Sequence, residues 1–244
     1  MINTFKADWP VINDVQALTT SRHGGVSVAP YGELNLATHV GDLPAAVQQN
    51  RRRLVKQLQL PDEPNWLSQT HSTGLVRIGE DGLADLPDAD AAYTQVTNQV
   101  LVIMSADCLP VFLATRDGRE LALVHAGWRG MASGIIKRAL RQFEAPGEQI
   151  CAWLGPAIGA DAFEVGEDVR SAMLLQDPAH EEAFKPFGMH WKADLYKLAR
   201  QQLGSASVGF IGGGQYCTYN QPEDFYSHRR DGTTGRMASL LWRS

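Results

Sequence analysis

The chain has 244 residues, 44% hydrophobic and 20% charged, with a formal net charge of −5 at pH 7. That is enough for one large domain or two small ones with a real core. The acidic balance argues against binding along a nucleic-acid backbone but leaves a small anionic substrate open. The three cysteines, Cys108, Cys151 and Cys217, are odd in number and widely spaced, which excludes a disulfide framework and points to a reducing cytoplasm. MINTFKADWP has no apolar leader and no run reaches membrane-span length, so no membrane association is expected.

Residues 15–21 (VQALTTS) read as a first strand, ended by Arg22-His23-Gly24-Gly25. A helix follows from Gly41, with Asp42 as its expected N-cap and Pro44 in its first turn. Val47, Leu54 and Leu58 make its apolar stripe, and Asn50 and Arg51 fall on the same stripe. An arginine turned toward a core needs an anionic partner. A structural ion pair or a snorkelling stem satisfies that need, and so does an anionic substrate such as phosphate. Arg52 and Arg53 point elsewhere.

Asn65 to Leu67 and Leu75 to Ile78 read as short strands with His71 between them. Residues 79–90 (GEDGLADLPDAD) read as a surface loop whose acidic side chains are solvated. Val100 to Met104, Leu109 to Thr115 and Leu121 to His125 are apolar strands, and Asp117-Gly118 is a hairpin-turn signal between the last two. Met131 to Phe143 reads as one amphipathic helix, with Ala132, Ile135, Ile136, Ala139, Leu140 and Phe143 on one face. Ile150 to Leu154 reads as a buried strand, and helices are expected near 167–175 and 193–203. Strands are expected at 208–211, near 216–219 and at 237–242. With no repeat, low-complexity tract or linker, residues 1–244 read as a single α+β domain.

Cys108 and His125 sit at the ends of neighbouring strands, and His71 is a third side chain of the same kind. Thiolate and two imidazoles suit a divalent transition metal such as zinc, with a fourth position left for water or substrate. The same atoms could serve without metal, with Cys108 as nucleophile and His125 as its base. A lone buried cysteine is also often a plain small hydrophobe. Arg129, in the glycine-punctuated run His125 to Gly130, adds positive charge at a strand end before a helix start, where small ligands commonly sit.

Several stretches together resemble one known family, the YfiH or laccase-domain proteins, also called PgeF-type or polyphenol-oxidase-like. They are SRHGGVS, NLATHVGD, NRRRL, WLSQTHSTGLV, ADCLPVFL, HAGWRG, WLGPAIGADAFEVG and SHRRDGTTGRMAS, in order along nearly the whole chain. Within SHRRD, His228 stands where relatives often carry tyrosine.

The resemblance implies mixed β-sheets packed as a sandwich with flanking helices, like the cysteine-hydrolase fold of a deamidating bacterial toxin. It implies zinc, with copper as the alternative, on His71, Cys108 and His125, the residues expected to be catalytic. It implies phosphorolysis of adenosine, inosine, guanosine or methylthioadenosine to base and ribose 1-phosphate, with adenosine deamination alongside. Amidase editing of serine-containing muropeptides and copper polyphenol oxidation are the other activities it suggests, and a non-catalytic, metal-stabilised binding module is the remaining alternative. The expected partners are thus a purine nucleoside and phosphate, with the oligomeric state open and a monomer favoured.

A laccase needs a histidine-rich multinuclear copper cluster, which seven histidines make hard to build here. Arg51 leads as the phosphate contact, with Asn50, Arg22 and Arg129 as further candidates. Deamination calls for a carboxylate proton shuttle. Asp107 neighbours Cys108, but successive strand residues point to opposite faces, which favours a structural hydrogen-bonding role for it.

Overall fold

The computed structural model describes residues 1–12 and 14–244. The first half runs β1 (Thr4–Lys6), β2 (Val15–Thr20), α1 (Pro44–Leu58), β3 (Leu75–Ile78), β4 (Ala91–Thr94), β5 (Leu101–Ser105), β6 (Leu109–Thr115), β7 (Leu121–Ala126), α2 (Trp128–Ala132) and α3 (Ile135–Leu140). The second runs β8 (Ile150–Leu154), β9 (Glu164–Val165), α4 (Glu167–Gln176), β10 (Phe184–Phe187), β11 (His190–Ala193), α5 (Leu195–Ser205), β12 (Phe210–Gly213), α6 (His228–Asp231) and β13 (Met237–Arg243).

Three sheets form. The largest has the order β12-β8-β6-β7-β4-β3, the second β1-β2-β13-β5, and a small one β10-β11-β9. β3 pairs with β4, and β12 with β8, in parallel, while β6 and β7 are antiparallel, so the large sheet is mixed. Side-chain alternation explains the layering. Leu109, Val111 and Leu113 of β6 join the core beneath α3 and α5, while Phe112 and Ala114 face the second sheet. There they meet Leu101, Ile103 and Leu241, closing a sandwich. The outer face of the second sheet packs Val102 and Leu240 against Leu54 of α1. The expected α+β sandwich with flanking helices is therefore what forms.

Local departures have local causes. The helix expected over 131–143 is two short helices, because Gly134 adopts φ +86° and breaks it. Asp42 does not cap α1; Leu43 occupies that position, and the Asp42 carboxylate accepts from Ser27 and Asn35 instead. Residues 65–67 make only an isolated bridge, Asn65 to Leu101, and 216–219 form no strand, the chain entering a turn at 218–220.

The register positions the site. Ala91 is paired with Val124, and Pro110 with His125. Asp90 and Cys108, each just before its strand, and His125 at the end of β7 therefore share one end of the large sheet. By parity with Ala92, Phe112 and Leu123, all three belong to the face that looks toward the second sheet.

Candidate active site

His71 has a backbone φ of +58°, a left-handed conformation that a residue with a Cβ adopts at a cost of roughly 1 kcal/mol or more. Two side chains hold it there. Gln69 grips the backbone of Met104 on β5, its amide donating to the carbonyl and accepting from the N–H, each at 2.7 Å. Asp90, wholly buried, accepts from the backbone N–H groups of Thr70, His71 and Ser72 at 3.2, 3.0 and 2.7 Å and from the Ser72 hydroxyl. Consecutive N–H groups around one carboxylate form an anion nest, and this one fixes the loop that presents His71.

The same carboxylate orients His125. Asp90 Oδ1 lies 2.8 Å from His125 Nδ1, which commits that nitrogen to the carboxylate and leaves Nε2 free to act. Burial disfavours the ionised Asp90, but hydrogen bonds from His125 and Ser72 win and bring its pKa down to about 2. The expectation that acidic residues of 79–90 are solvated is wrong for this one.

Cys108 Sγ stands 3.8 Å from His71 Nε2, and the donor atoms of His71, Cys108 and His125 all lie within 4.8 Å of one another. Burial opposes ionisation of the thiol, yet the imidazoles of His125 and His71 overcome it and lower its pKa to about 6. Burial likewise opposes the imidazolium of His125, but Cys108 and Asp90 push its pKa up to about 9. Gly127 makes the close approach possible: a Cβ there would meet Cys108 Sγ at 3.0 Å and His71 Cδ2 at 3.2 Å.

This donor set fits a single divalent metal ion. Two zinc bonds of about 2.0–2.3 Å meeting near the tetrahedral angle put their donor atoms ~3.5 Å apart, close to the sulfur–nitrogen separation seen. The carboxylate–imidazole pair behind His125 is the usual support for a metal-binding histidine. Among the described residues this is the one such cluster of three or more histidine, cysteine or carboxylate groups.

Two clefts meet at Cys108. One, of about 310 Å³, is lined by His39, Ser105, Arg129, His228 and Arg236 together with the cluster. Ser105 Oγ is buried there without a hydrogen-bond partner. Arg236 spends Nη1 on the carbonyls of Thr234 and Gly235, and its Nε and Nη2 have no acceptor among the described residues. Partial burial and the charges of Arg236 and Arg51 hold His39 below the ordinary histidine pKa, so it is neutral at physiological pH. The other cleft, of about 180 Å³, has apolar walls of Trp128, Ile158, Phe163 and Leu195.

The chain model for the family described as "Multi-copper polyphenol oxidoreductase laccase" matches residues 16–244. A Haemophilus influenzae protein named purine nucleoside phosphorylase is 45% identical over 238 residues, 96% of this chain and 97% of that one. An Escherichia coli protein named purine nucleoside phosphorylase YfiH is 45% identical, with 96% of each covered. The chain belongs to the YfiH laccase-domain family. Its fold agrees: a Neisseria meningitidis crystal structure, 44% identical, superposes with a TM-score of 0.95 over 99% of both chains. YlmD of Geobacillus stearothermophilus, 30% identical, gives 0.90 over 96% of this chain and 93% of that one.

Within this YfiH-family fold the residues expected at the site are distributed unevenly. His71, Cys108, His125 and Arg129 are brought together. Asn50 is not: it is buried, accepts from Val26 N–H and donates to Ser27, Glu33 and Asn35. Arg22 donates to the carbonyls of Gly32 and Pro222 and stacks on Tyr226. Arg51 sits over Trp66, its Cζ 3.6 Å from the ring centroid, donates to the Leu36 carbonyl, and acts on the cleft through its charge on His39. Asp107 has the structural role expected, accepting from Thr218 Oγ1 and Arg229 N–H.

Asp90, His39, His228 and Arg236 were missed as site residues. Asp90 carried one sequence signal, a carboxylate immediately before the small buried strand Ala91–Thr94, but that strand has too little β-branched character to stand out.

Proposed function

We propose that the protein is a zinc-dependent purine nucleoside phosphorylase acting on adenosine, inosine, guanosine or methylthioadenosine in the cytoplasm. The observation that carries this reading is the pairing of a metal-ligand cluster with two unlike clefts, one cationic and one apolar, that meet at Cys108. His71, Cys108 and His125 would hold zinc, which supplies Lewis acidity when bound. Copper fits the same three donors. The multinuclear oxidase chemistry in the family's description needs a second cluster, and the described residues offer none.

In this reading the base lies between Trp128 and Phe163, and phosphate lies against Arg236 and Arg129, with Arg51 adding charge from beside His39. A phosphate oxygen forms a bond to C1′ as the C1′–N9 bond breaks, and the bonding pair leaves on the base. That base needs a proton. His228 lines both clefts, donates Nδ1–H to the Gly232 carbonyl, and has Nε2 to carry it. Neutral His39 binds the sugar hydroxyls without attracting phosphate away from the arginines. Adenosine deamination at the same site would draw its proton from His228 as well, because both oxygens of Asp107 are committed. The test is product analysis of adenosine with zinc-loaded protein. Adenine and ribose 1-phosphate are expected only with phosphate present, and their absence under both conditions defeats the reading.

The Asp90–His125–Cys108 array favours a second reading, a thiol amidase. The Cys108 thiolate adds to an amide carbonyl, the amine leaves with the proton of His125, and water cleaves the thioester. This activity survives chelation of metal, and a serine-containing muropeptide is its assay.

A further inference from the structure

Arg229 lines the apolar cleft and has no part in the steps above. It is held at both ends. Its backbone N–H donates at 2.7 Å to Asp107, the residue before Cys108. Its Nη1 donates at 2.7 Å to the carbonyl of Glu164 on β9, and its Cζ lies 5.2 Å from the ring centroid of Phe163, a wall of that cleft. Neither Nε nor Nη2 has an acceptor among the described residues. Those two N–H groups share one side of the guanidinium plane, so a complete two-donor edge is left free.

The rest of the polar lining is short of acceptors. Both oxygens of Asp107 are spent on Thr218 and on the Arg229 backbone. Arg129 only donates, and His71 and Cys108 belong to the metal-ligand cluster. His228 Nε2 carries the proton in the reading above. An occupant of the cleft therefore meets a pair of parallel donors and no carboxylate free to accept.

Purines differ at this point. A 6-oxopurine offers two acceptors side by side, O6 and N7, whereas adenine offers the N7 acceptor beside an N6 amino donor. The arginine edge fits the first and sets donor against donor in the second. A site built around a hydrogen bond rejects an analogue that cannot make it far more strongly than an apolar pocket rejects a change of size. The same edge also favours bond cleavage. As the C1′–N9 pair leaves on the base, negative charge spreads to O6 and N7, opposite the guanidinium.

We propose that Arg229 reads the base in this site and selects 6-oxopurine nucleosides, inosine and guanosine, over adenosine and methylthioadenosine. This selection rests on the nucleoside reading of the clefts, but the base preference is measurable without turnover.

The experiment pairs two measurements on zinc-loaded full-length protein. Calorimetric titration compares hypoxanthine, adenine and 7-deazahypoxanthine, which lacks the N7 acceptor. Steady-state kinetics with phosphate give kcat/KM for inosine and adenosine, with adenine and hypoxanthine counted separately so that adenosine deaminated first is not scored as adenosine split. Wild type is set against R229A and R229Q, changes at an exposed position that keep the backbone N–H to Asp107, and melting temperatures verify that both fold. Wild type is expected to bind hypoxanthine roughly tenfold or more tighter than either other base, and to split inosine with a kcat/KM roughly tenfold or more above that of adenosine. In R229A the ratios should fall to within about threefold of one, and in R229Q, whose amide pairs with N6 and N7 of adenine, they should invert. A side chain that only braced β9 would weaken all three bases alike and leave the ratios unmoved. Equal binding of hypoxanthine and adenine by wild type, or unchanged ratios in folded R229A, overturns the proposal. Should the base ratios behave as expected while no nucleoside is split, Arg229 stands as the purine contact and the phosphorylase reading fails. Should nucleosides be split with phosphate at ratios near one, the phosphorylase reading stands and the role of Arg229 alone falls.

Discussion

Asp90 Oδ1 sits 2.8 Å from Nδ1 of His125 while the same carboxylate gathers three consecutive backbone N–H groups under His71. One buried side chain thus sets the tautomer of one imidazole and the backbone of the loop that carries the other. The cluster's geometry is a property of this carboxylate as much as of the three donor atoms.

Substituting it should therefore cost twice. Asp90→Asn is expected to lower zinc affinity 10- to 100-fold, the usual loss when a ligand's hydrogen-bond partner is removed, and to destabilise the fold by about 3 kcal/mol. Chelator competition reads the first effect and urea unfolding the second. A variant with wild-type zinc affinity contradicts this role.

The same group predicts an acid-limb dependence. Its folded pKa is depressed from 3.8 to about 2. Its stabilisation is therefore fully present above pH 4 and disappears as pH falls through about 2. Unfolding free energies of wild type and Asp90→Asn should differ most at pH 5 and converge toward pH 2. A difference that stays constant over that range is the opposing result.

Cys108 should be a thiolate in metal-stripped protein at neutral pH, because its pKa lies at about 6. Its alkylation rate with iodoacetamide should climb through about pH 6, shift toward the ordinary thiol range in His125→Ala, and fall at least tenfold on adding zinc. Peptide mapping separates Cys108 from Cys151 and Cys217.

Gly127→Ala should lower turnover about 100-fold with little loss of melting temperature, since its new Cβ would meet Cys108 Sγ at 3.0 Å and displace a reacting group. A thermal melt alongside steady-state kinetics checks both halves.

Arg236→Gln should raise the KM for phosphate about tenfold or more with a smaller change for the nucleoside, and more than Arg51→Ala does. Arg236 lines the cleft with unspent N–H groups, whereas Arg51 sits over Trp66. Equal effects of the two substitutions would restore Arg51 as the main contact.

How much of this was legible beforehand depends on how local each cause is. The strands that carry Cys108 and His125 announce themselves as apolar runs around an Asp-Gly turn, and β6 and β7 form where expected. Arg129 was found because it lies next to those strands in sequence. Arg236 and His228 were not, since they arrive from a C-terminal tail that reaches the site through the pairing of β13 with β5. Arg51 and Asn50 were read from helical periodicity, which gives the inward face of α1 but not what lies across from it: for Asn50 that is the 26–35 loop, and for Arg51 the ring of Trp66. Asp90 was lost in a polar stretch because burial of a carboxylate depends on partners from two distant segments. Gly134 breaks a helix whose apolar stripe runs on past it, a case of backbone conformation overriding side-chain pattern.

The central claim is that His71, Cys108 and His125 form one coordination site. Metal content of purified protein, measured for wild type and for Cys108→Ser of verified fold, addresses it directly. About one zinc per wild-type chain and close to none in the variant is the result predicted here; equal metal in both, or none in the zinc-supplied wild type, contradicts it.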